Sequence, residues 1–491
     1  MGIPSYYSYL IKHHPKILEI FLKAPKPDHF YLDANSIIYD VVNKYKFKKN
    51  NEIILQVIEE IEKYIALILP KQTTTIAFDG CAPRAKIKQQ RERRFKSYYL
   101  NRAQTRILKK APLEWNTANI TPGTEFMKLL TTMLKSHFVE AQYNLLVDCP
   151  GEGEHKIFQI IRDGNPNETH VIYGLDSDLI MISMMHIELA NIFLFRETPE
   201  YIKQFHSSFD EKANYLLNVS TLSNIIETEM NGSIHDYVFI SFLMGNDFMP
   251  HFPALNIRTG GIDKIIDAYK RVNKKMIDIH RETKQITIHW KHFYDFLRIL
   301  SLQEETFIQS EFTSRSRTWK LPNTPEGIFR KVENLPMIER ETEKYINPLS
   351  KGWDVRYYEM LGNTDYTNYM DGLVWNMTYY TFGCMDWDWS YLYHYPPLLK
   401  DLVKQIPDES QTIHYVESKS TITELEQLCL VLPKNALFLV PEIREQLNPA
   451  WYVDDCTFTW AFCKYFWECH PDLPTIDIAE LKEICQNSQN K

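Results

Sequence analysis

Several things are scarce in this 491-residue chain, and each scarcity removes a class of protein. No run approaches the roughly 18 apolar residues of a membrane-spanning helix. The opening MGIPSYYSYL has neither the basic nor the apolar region of a secretory signal, which makes the cytoplasm, or else the nucleus, the expected compartment. Gly2 could accept a myristoyl group, but the motif wants Ser or Thr at the sixth position and Tyr6 stands there. The eight cysteines include no C-x-x-C pair, so neither a zinc module nor a disulfide framework is indicated. No G-x-x-x-x-G-K-[ST] or H-E-x-x-H occurs, which removes P-loop NTPases and zincins. Internal repeats and low-complexity tracts are absent too.

What remains is a chain with 44% hydrophobic and 24% charged residues, ordinary for a globular protein and long enough for more than one domain. Its net charge is −8, yet residues 84–110 hold eleven Lys and Arg against the single Glu92, a local charge of +10. A concentrated basic segment in an acidic protein points to a dedicated anionic ligand.

Short apolar, β-branched or aromatic runs, HFYLDAN, TTTIAFDG and HVIYGLDSD, alternate with long helical patterns such as NEIILQVIEEIEKYIALIL. That alternation predicts an α/β fold with a parallel sheet. Each run ends in aspartate: Asp33, Asp79, then Asp176 with Asp178. The ligand crevice of such a sheet lies beyond the carboxyl ends of its strands, so these acids should converge. In DCPGEGEHKI, Glu152 and Glu154 fall at the first turn of a predicted helix, and in FLMGNDFMP, Asp247 follows the Gly245-Asn246 break. Burying seven unpaired carboxylates at the ends of apolar elements would be very costly. One or two Mg²⁺ or Mn²⁺ ions, which take oxygen ligands, account for all of them. If Pro83 opens a helix, Lys86, Gln90, Arg93 and Arg94 share one face, a cluster suited to a phosphate dianion. The segment 311–349, polar and Pro-containing around TSRSRTWKLPNTPEG, is the expected linker between a nuclease domain at 1–310 and a second domain at 350–491. His289 and His292 have no third ligand nearby in sequence, and Cys463, Cys469 and His470 likewise read as ordinary structure.

The ordered blocks YLDANSIIYD, FDGCAPRAKIKQQRERRF, ITPGTEFM, PGEGEHKI, GLDSDLIM and GNDFMPHFP resemble the signature blocks of the Xrn family of 5′→3′ exoribonucleases. KGWDVRYYEML, DGLVWNMTYYTFGCMDWDWSYLYHYPP and LCLVLPKNALFLVPEIREQL are similar to that family's second shared region. The resemblance implies a PIN/FEN-like nuclease fold, with a mainly parallel sheet, flanking helices and a smaller, mostly helical carboxyl-terminal domain closing the active site. It puts the ligands of two metal ions on Asp33, Asp79, Glu152, Glu154, Asp176, Asp178 and Asp247, and the 5′-monophosphate pocket on Lys86, Gln90, Arg93 and Arg94. The histidine that stacks on a substrate base in the family is replaced by Tyr39, and the opposing platform would be Trp387 or Trp389. The implied activity is processive hydrolysis of single-stranded RNA to mononucleotides, as in mRNA decay, by a monomer with decapping or RNA-processing factors as candidate partners. A DNA flap nuclease and a non-catalytic RNA-binding scaffold are the alternatives. The long carboxyl-terminal extension of the large family members is not found in this sequence.

Overall fold

In the runs HFYLD, TTTIA and THVIY, β-branched and aromatic side chains suit a pleated surface, and the runs are apolar without polar alternation because both sheet faces are covered. The computed structural model describes residues 2–21, 24, 26–46, 49–109, 115–196, 213–316, 322–362 and 364–489; Lys110 of the basic segment and 317–321 of the expected linker lie outside them. Seven strands form the central sheet: β1 (Leu18–Ile20), β2 (His29–Asp33), β3 (Thr73–Ala77), β4 (Tyr143–Leu146), β5 (Thr169–Tyr173), β6 (Asn191–Phe195) and β7 (Tyr215–Asn218). Their order is β1-β7-β6-β5-β2-β3-β4. The five strands from β6 to β4 are mutually parallel, whereas β7 and β1 add on antiparallel at one side. This is the α/β architecture expected of a PIN/FEN-like nuclease.

Alternation along β2 sorts its side chains: Phe30 and Leu32 face one layer, Tyr31 the other. The first layer holds α2 (Asn35–Tyr45), α3 (Asn50–Ile68) and α5 (Glu125–His137), which bury Ile38, Ile54, Ile61, Phe126 and Leu130 against the sheet. The second holds α6 (Gly153–Arg162), α7 (Asp178–Met184) and the helix Val219–Met230. From β2 the chain moves to β3 and β4 on one side, then returns to place β5 on the other. The switch point therefore lies at the carboxyl ends of β2, β3 and β5, where a crevice opens.

The expected domain boundary needs correction. Helix Trp290–Ser314 runs straight across position 310, and the segment expected to be a linker folds into helices Pro325–Glu333, Leu335–Ile338 and Glu341–Ile346. Four of its charges, Glu311, Arg315, Arg340 and Glu343, turn inward. Fully buried Glu343 accepts from Arg315 Nη2 at 2.7 Å, from Arg340 Nε at 2.6 Å and from the backbone N–H of Phe462 at 2.7 Å. Polarity that reads as solvent exposure in sequence is here an internal ion network, held because each partner satisfies the other. The two halves are further joined by a three-stranded antiparallel sheet in which the central β9 (Gln285–Ile288) pairs with β8 (Ile277–His280) on one side and β10 (Gln411–His414) on the other. One continuous core runs from Ile3 through Ile172 and Trp290 to Tyr380 and Phe462. No helix among the described residues is long and apolar enough to cross a membrane.

Candidate active site

The parallel pairing puts Asp33 opposite Ala77 and Leu32 opposite Tyr173, so the loops carrying Asp79 and Asp176 leave the sheet on either side of Asp33. Helix α6 then enters with Glu152 at its N-cap position and Glu154 in its first turn. Its Gly153 N–H donates to Asp79 Oδ1 at 2.9 Å. A Cβ at Gly153 would stand 2.7 Å from Asp33 Oδ1, so glycine is what lets the helix start this close to the strand end. Asp178 opens α7, and Asp247 follows the break at Gly245, whose φ of 79° turns the chain after helix Ile234–Ser241 and the short turn Phe242–Met244. The helical stretches and breaks expected around all seven acids are thus present.

One cavity of about 170 Å³ is lined by Asp33, Asp79, Glu152, Glu154 and Asp176, and on its other wall by Lys86, Gln90, Arg93 and Arg94 with Tyr39. Asp178 and Asp247 do not line this cavity. Lys86 ties Asp247 to it, with its ammonium 2.5 Å from Glu152 Oε1 and 2.7 Å from Asp247 Oδ2. Sequence reasoning assigned Lys86 to phosphate; in the fold it is buried between two carboxylates.

Electrostatics follow from crowding. Burial, then Asp79, Asp176 and Glu152, push Asp33 well above the usual carboxylate range, and burial with Glu152 does the same to Glu154. Burial, reinforced by Asp247, raises Asp178 to about 7. Burial alone would lower Lys86, but Asp247 and Glu152 outweigh it and hold its ammonium well above its ordinary value. Asp247 is likewise desolvated, yet Lys86 keeps it below the usual range. A single lysine offsets only part of the accumulated negative charge. The donor set is nearly all oxygen, Asp33 Oδ1 is buried without a hydrogen-bond partner, and ligand atoms of Glu152, Glu154 and His155 lie within 4.8 Å of one another. These features fit a hard divalent cation.

The cationic wall belongs to α4 (Arg84–Leu108), which starts directly after Pro83 as the sequence predicts. Gln90 Oε1 and Arg94 Nε are buried there without partners, while Arg94 Nη2 is anchored on Ile120 O at 3.2 Å. Burial pulls Arg94 down to about 10. The unsatisfied Arg94 N–H facing the cavity suits an anionic ligand that would complete it, whereas Gln90 Oε1 is an acceptor and needs a donor. Tyr39, Arg93 and Arg94 also border a second, open cavity of about 1190 Å³ running along α4, whose walls add Lys46, Arg102 and Arg106.

The two tryptophans lie elsewhere. Trp389 stacks on Trp375 with ring centroids 4.9 Å apart, and Trp387 Nε1 donates to Ser418 O at 2.9 Å. Both are half-buried against the main core and neither borders the carboxylate cavity. What the same aromatic block does supply, unforeseen from sequence, is a pair of tyrosines. Tyr379 donates to Glu152 Oε2 at 2.7 Å and Tyr380 to Asp178 Oδ1 at 2.6 Å. Asn35 donates to Asp79, and His155 packs its ring 3.6 Å from that of Tyr379. The adjacency Tyr379-Tyr380 on a helix facing an acidic cluster was the available signal, but only the fold shows which cluster it faces.

Two family models match this chain. That of the XRN 5′-3′ exonuclease N-terminus covers residues 1–198, and that of the Xrn1 helical domain covers 227–323 and 339–486. The 5′-3′ exoribonuclease 1 of Schizosaccharomyces pombe is 26% identical over 90% of this chain and 44% of its own length. The human 5′-3′ exoribonuclease 1 is 27% identical over 100% of this chain and 34% of its own length. The chicken (Gallus gallus) 5′-3′ exoribonuclease 2 is 26% identical over 98% and 69%. The chain therefore spans less than half the length of the two exoribonuclease 1 relatives. With both models matched in order along nearly all of the sequence, the chain belongs to the Xrn family of 5′-3′ exonucleases.

Proposed function

We propose that this chain is a divalent-metal-dependent 5′→3′ exoribonuclease that hydrolyses single-stranded RNA bearing a 5′-monophosphate, processively and to mononucleotides. The observation that carries this reading is the pairing, across one small cavity, of a carboxylate wall with a cationic wall from a single helix. Such a cavity can hold a terminal phosphate and a phosphodiester at the same time.

Asp33, Asp79, Glu152, Glu154, Asp176, Asp178 and Asp247 would hold the ions, two of Mg²⁺ or Mn²⁺. Bound there, they supply a water acidified toward neutrality and charge stabilisation for the departing oxygen. Tyr379 and Tyr380 fix the orientation of Glu152 and Asp178, as partners behind a ligand do. Lys86 bridges Glu152 and Asp247 and favours the ionised form of Asp247. Arg93, Arg94 and Gln90 receive the 5′-phosphate, the arginines through charge-assisted forks. A cap or triphosphate is excluded by the size of the cavity, about 170 Å³. Tyr39, at the junction with the open cavity, offers a sequence-indifferent face for the next base. Trp387 and Trp389 act by packing beneath the site.

Digestion of matched 5′-monophosphate, 5′-hydroxyl and 5′-triphosphate RNAs, with Mg²⁺ and with EDTA, tests this reading. Rapid loss of only the monophosphate RNA, abolished by EDTA, is expected. Equal cleavage of all three ends, or cleavage in EDTA, would overturn it.

A further inference from the structure

On α4, Glu92 meets two imidazoles that come from far along the chain. His394 Nδ1 lies 3.8 Å from Glu92 Oε1, and His470 Nδ1 lies 3.5 Å from Glu92 Oε2. The imidazoles stack at 4.5 Å with 24° between planes, and one ligand atom from each of the three residues lies within 4.8 Å of the others. His470 Nδ1 is buried and has no hydrogen-bond partner. A tetrahedral ion with bonds of about 2.1 Å separates its ligands by about 3.4 Å, close to the spacing seen and longer than a good hydrogen bond.

We propose that Glu92, His394 and His470 form a second metal site, separate from the carboxylate centre, for a borderline ion of the Zn²⁺ class. Two features select that class over Mg²⁺. The ligands are two imidazoles and one carboxylate, a set that suits Zn²⁺ and not a hard ion that wants oxygen. Lys88 and Lys96, one turn either side of Glu92, send their ammonium groups to Tyr391 O and Cys469 O, both at 2.8 Å, and so lie on backbone acceptors instead of occupying the carboxylate. A cavity of about 420 Å³ adjoins all three residues, reaches Arg93 and Asp247 at its other end, and leaves room for water as the fourth ligand. The ion would pin the aromatic segment around His394 and the strand His470–Pro471 to the helix that carries Arg93 and Arg94. Its role is positional.

The test uses the whole chain in excess Mg²⁺, which occupies the carboxylate centre, titrated with Co²⁺ and followed by visible absorption. Octahedral oxygen-bound Co²⁺ absorbs weakly, whereas a four-coordinate nitrogen-containing site absorbs strongly. Expected are strong bands saturating at one equivalent and erased by Zn²⁺, with at least tenfold weaker Co²⁺ binding in His470→Gln. His394→Gln should do the same, and because its ring is more than a third exposed it keeps the fold if His470→Gln does not, as checked by circular dichroism. Absence of strong bands in the unmodified chain, or bands undiminished in a folded variant, overturns the site.

Discussion

At the scale of single residues, the centre depends on atoms that no charge count reveals. Gly153 is one: its missing side chain lets α6 begin against Asp33, and Gly153→Ala would drive a methyl group into Oδ1. A displacement of this kind should lower kcat on 5′-monophosphate RNA by about 10²-fold while the melting temperature changes little. Unaltered turnover would mean that Asp33 has room to move. Tyr380→Phe removes only a hydroxyl, the one that orients Asp178, and should weaken Mg²⁺ activation by roughly 10–100-fold with RNA binding intact. A Mg²⁺ titration of activity reads this directly. Asp33, Asp79 and Asp176 were legible because each ends an apolar run, a property of neighbours in sequence. Tyr379, Tyr380 and Asn35 were not, since a hydroxyl or amide can serve any acceptor and its partner lies up to 227 positions away.

At the scale of elements, periodicity carried α3, and short apolar β-branched runs carried β2, β3 and β5. It failed between 311 and 349, where inward-turned charges imitate a solvated connection. The same helix that crosses this region carries Glu304, fully buried, which caps the short helix Leu399–Leu402 by accepting from Leu399 N at 2.7 Å and Lys400 N at 2.9 Å. Burial raises this carboxyl from 4.5 to about 7. Over that interval the folded chain holds a proton that the unfolded chain has released. The associated stability is fully present below about pH 4.5 and is lost as the pH rises through 7, on the order of 3 kcal/mol in total. Urea unfolding from pH 5 to 8 should show the parent protein losing ground to Glu304→Gln as the pH rises. Parallel curves for the two proteins would place that titration elsewhere.

At the scale of the whole molecule, the resemblance in sequence foresaw two cooperating halves but not how tightly they interlock, since β10 completes a sheet begun more than a hundred residues earlier. The open cavity bordered by Lys46, Arg93, Arg94, Arg102 and Arg106 belongs to the assembled molecule and to no single element. If it carries the RNA strand, Arg102→Ala with Arg106→Ala should reduce the slope of log affinity against log salt by roughly 0.7 for each lost phosphate contact, whatever the chemistry of the 5′ end. Arg93→Ala with Arg94→Ala should instead act chiefly on 5′-monophosphate RNA. Fluorescence anisotropy across a salt series separates the two patterns.

That both cavities share α4 has a metrical consequence. A helix of 25 residues is about 37 Å long and stiff, so the distance from the carboxylate wall to Arg106 is set once, at folding. The protein thus carries a ruler. Oligonucleotides of increasing length should gain affinity step by step until they reach the far end of α4, and nucleotides beyond that point should add nothing.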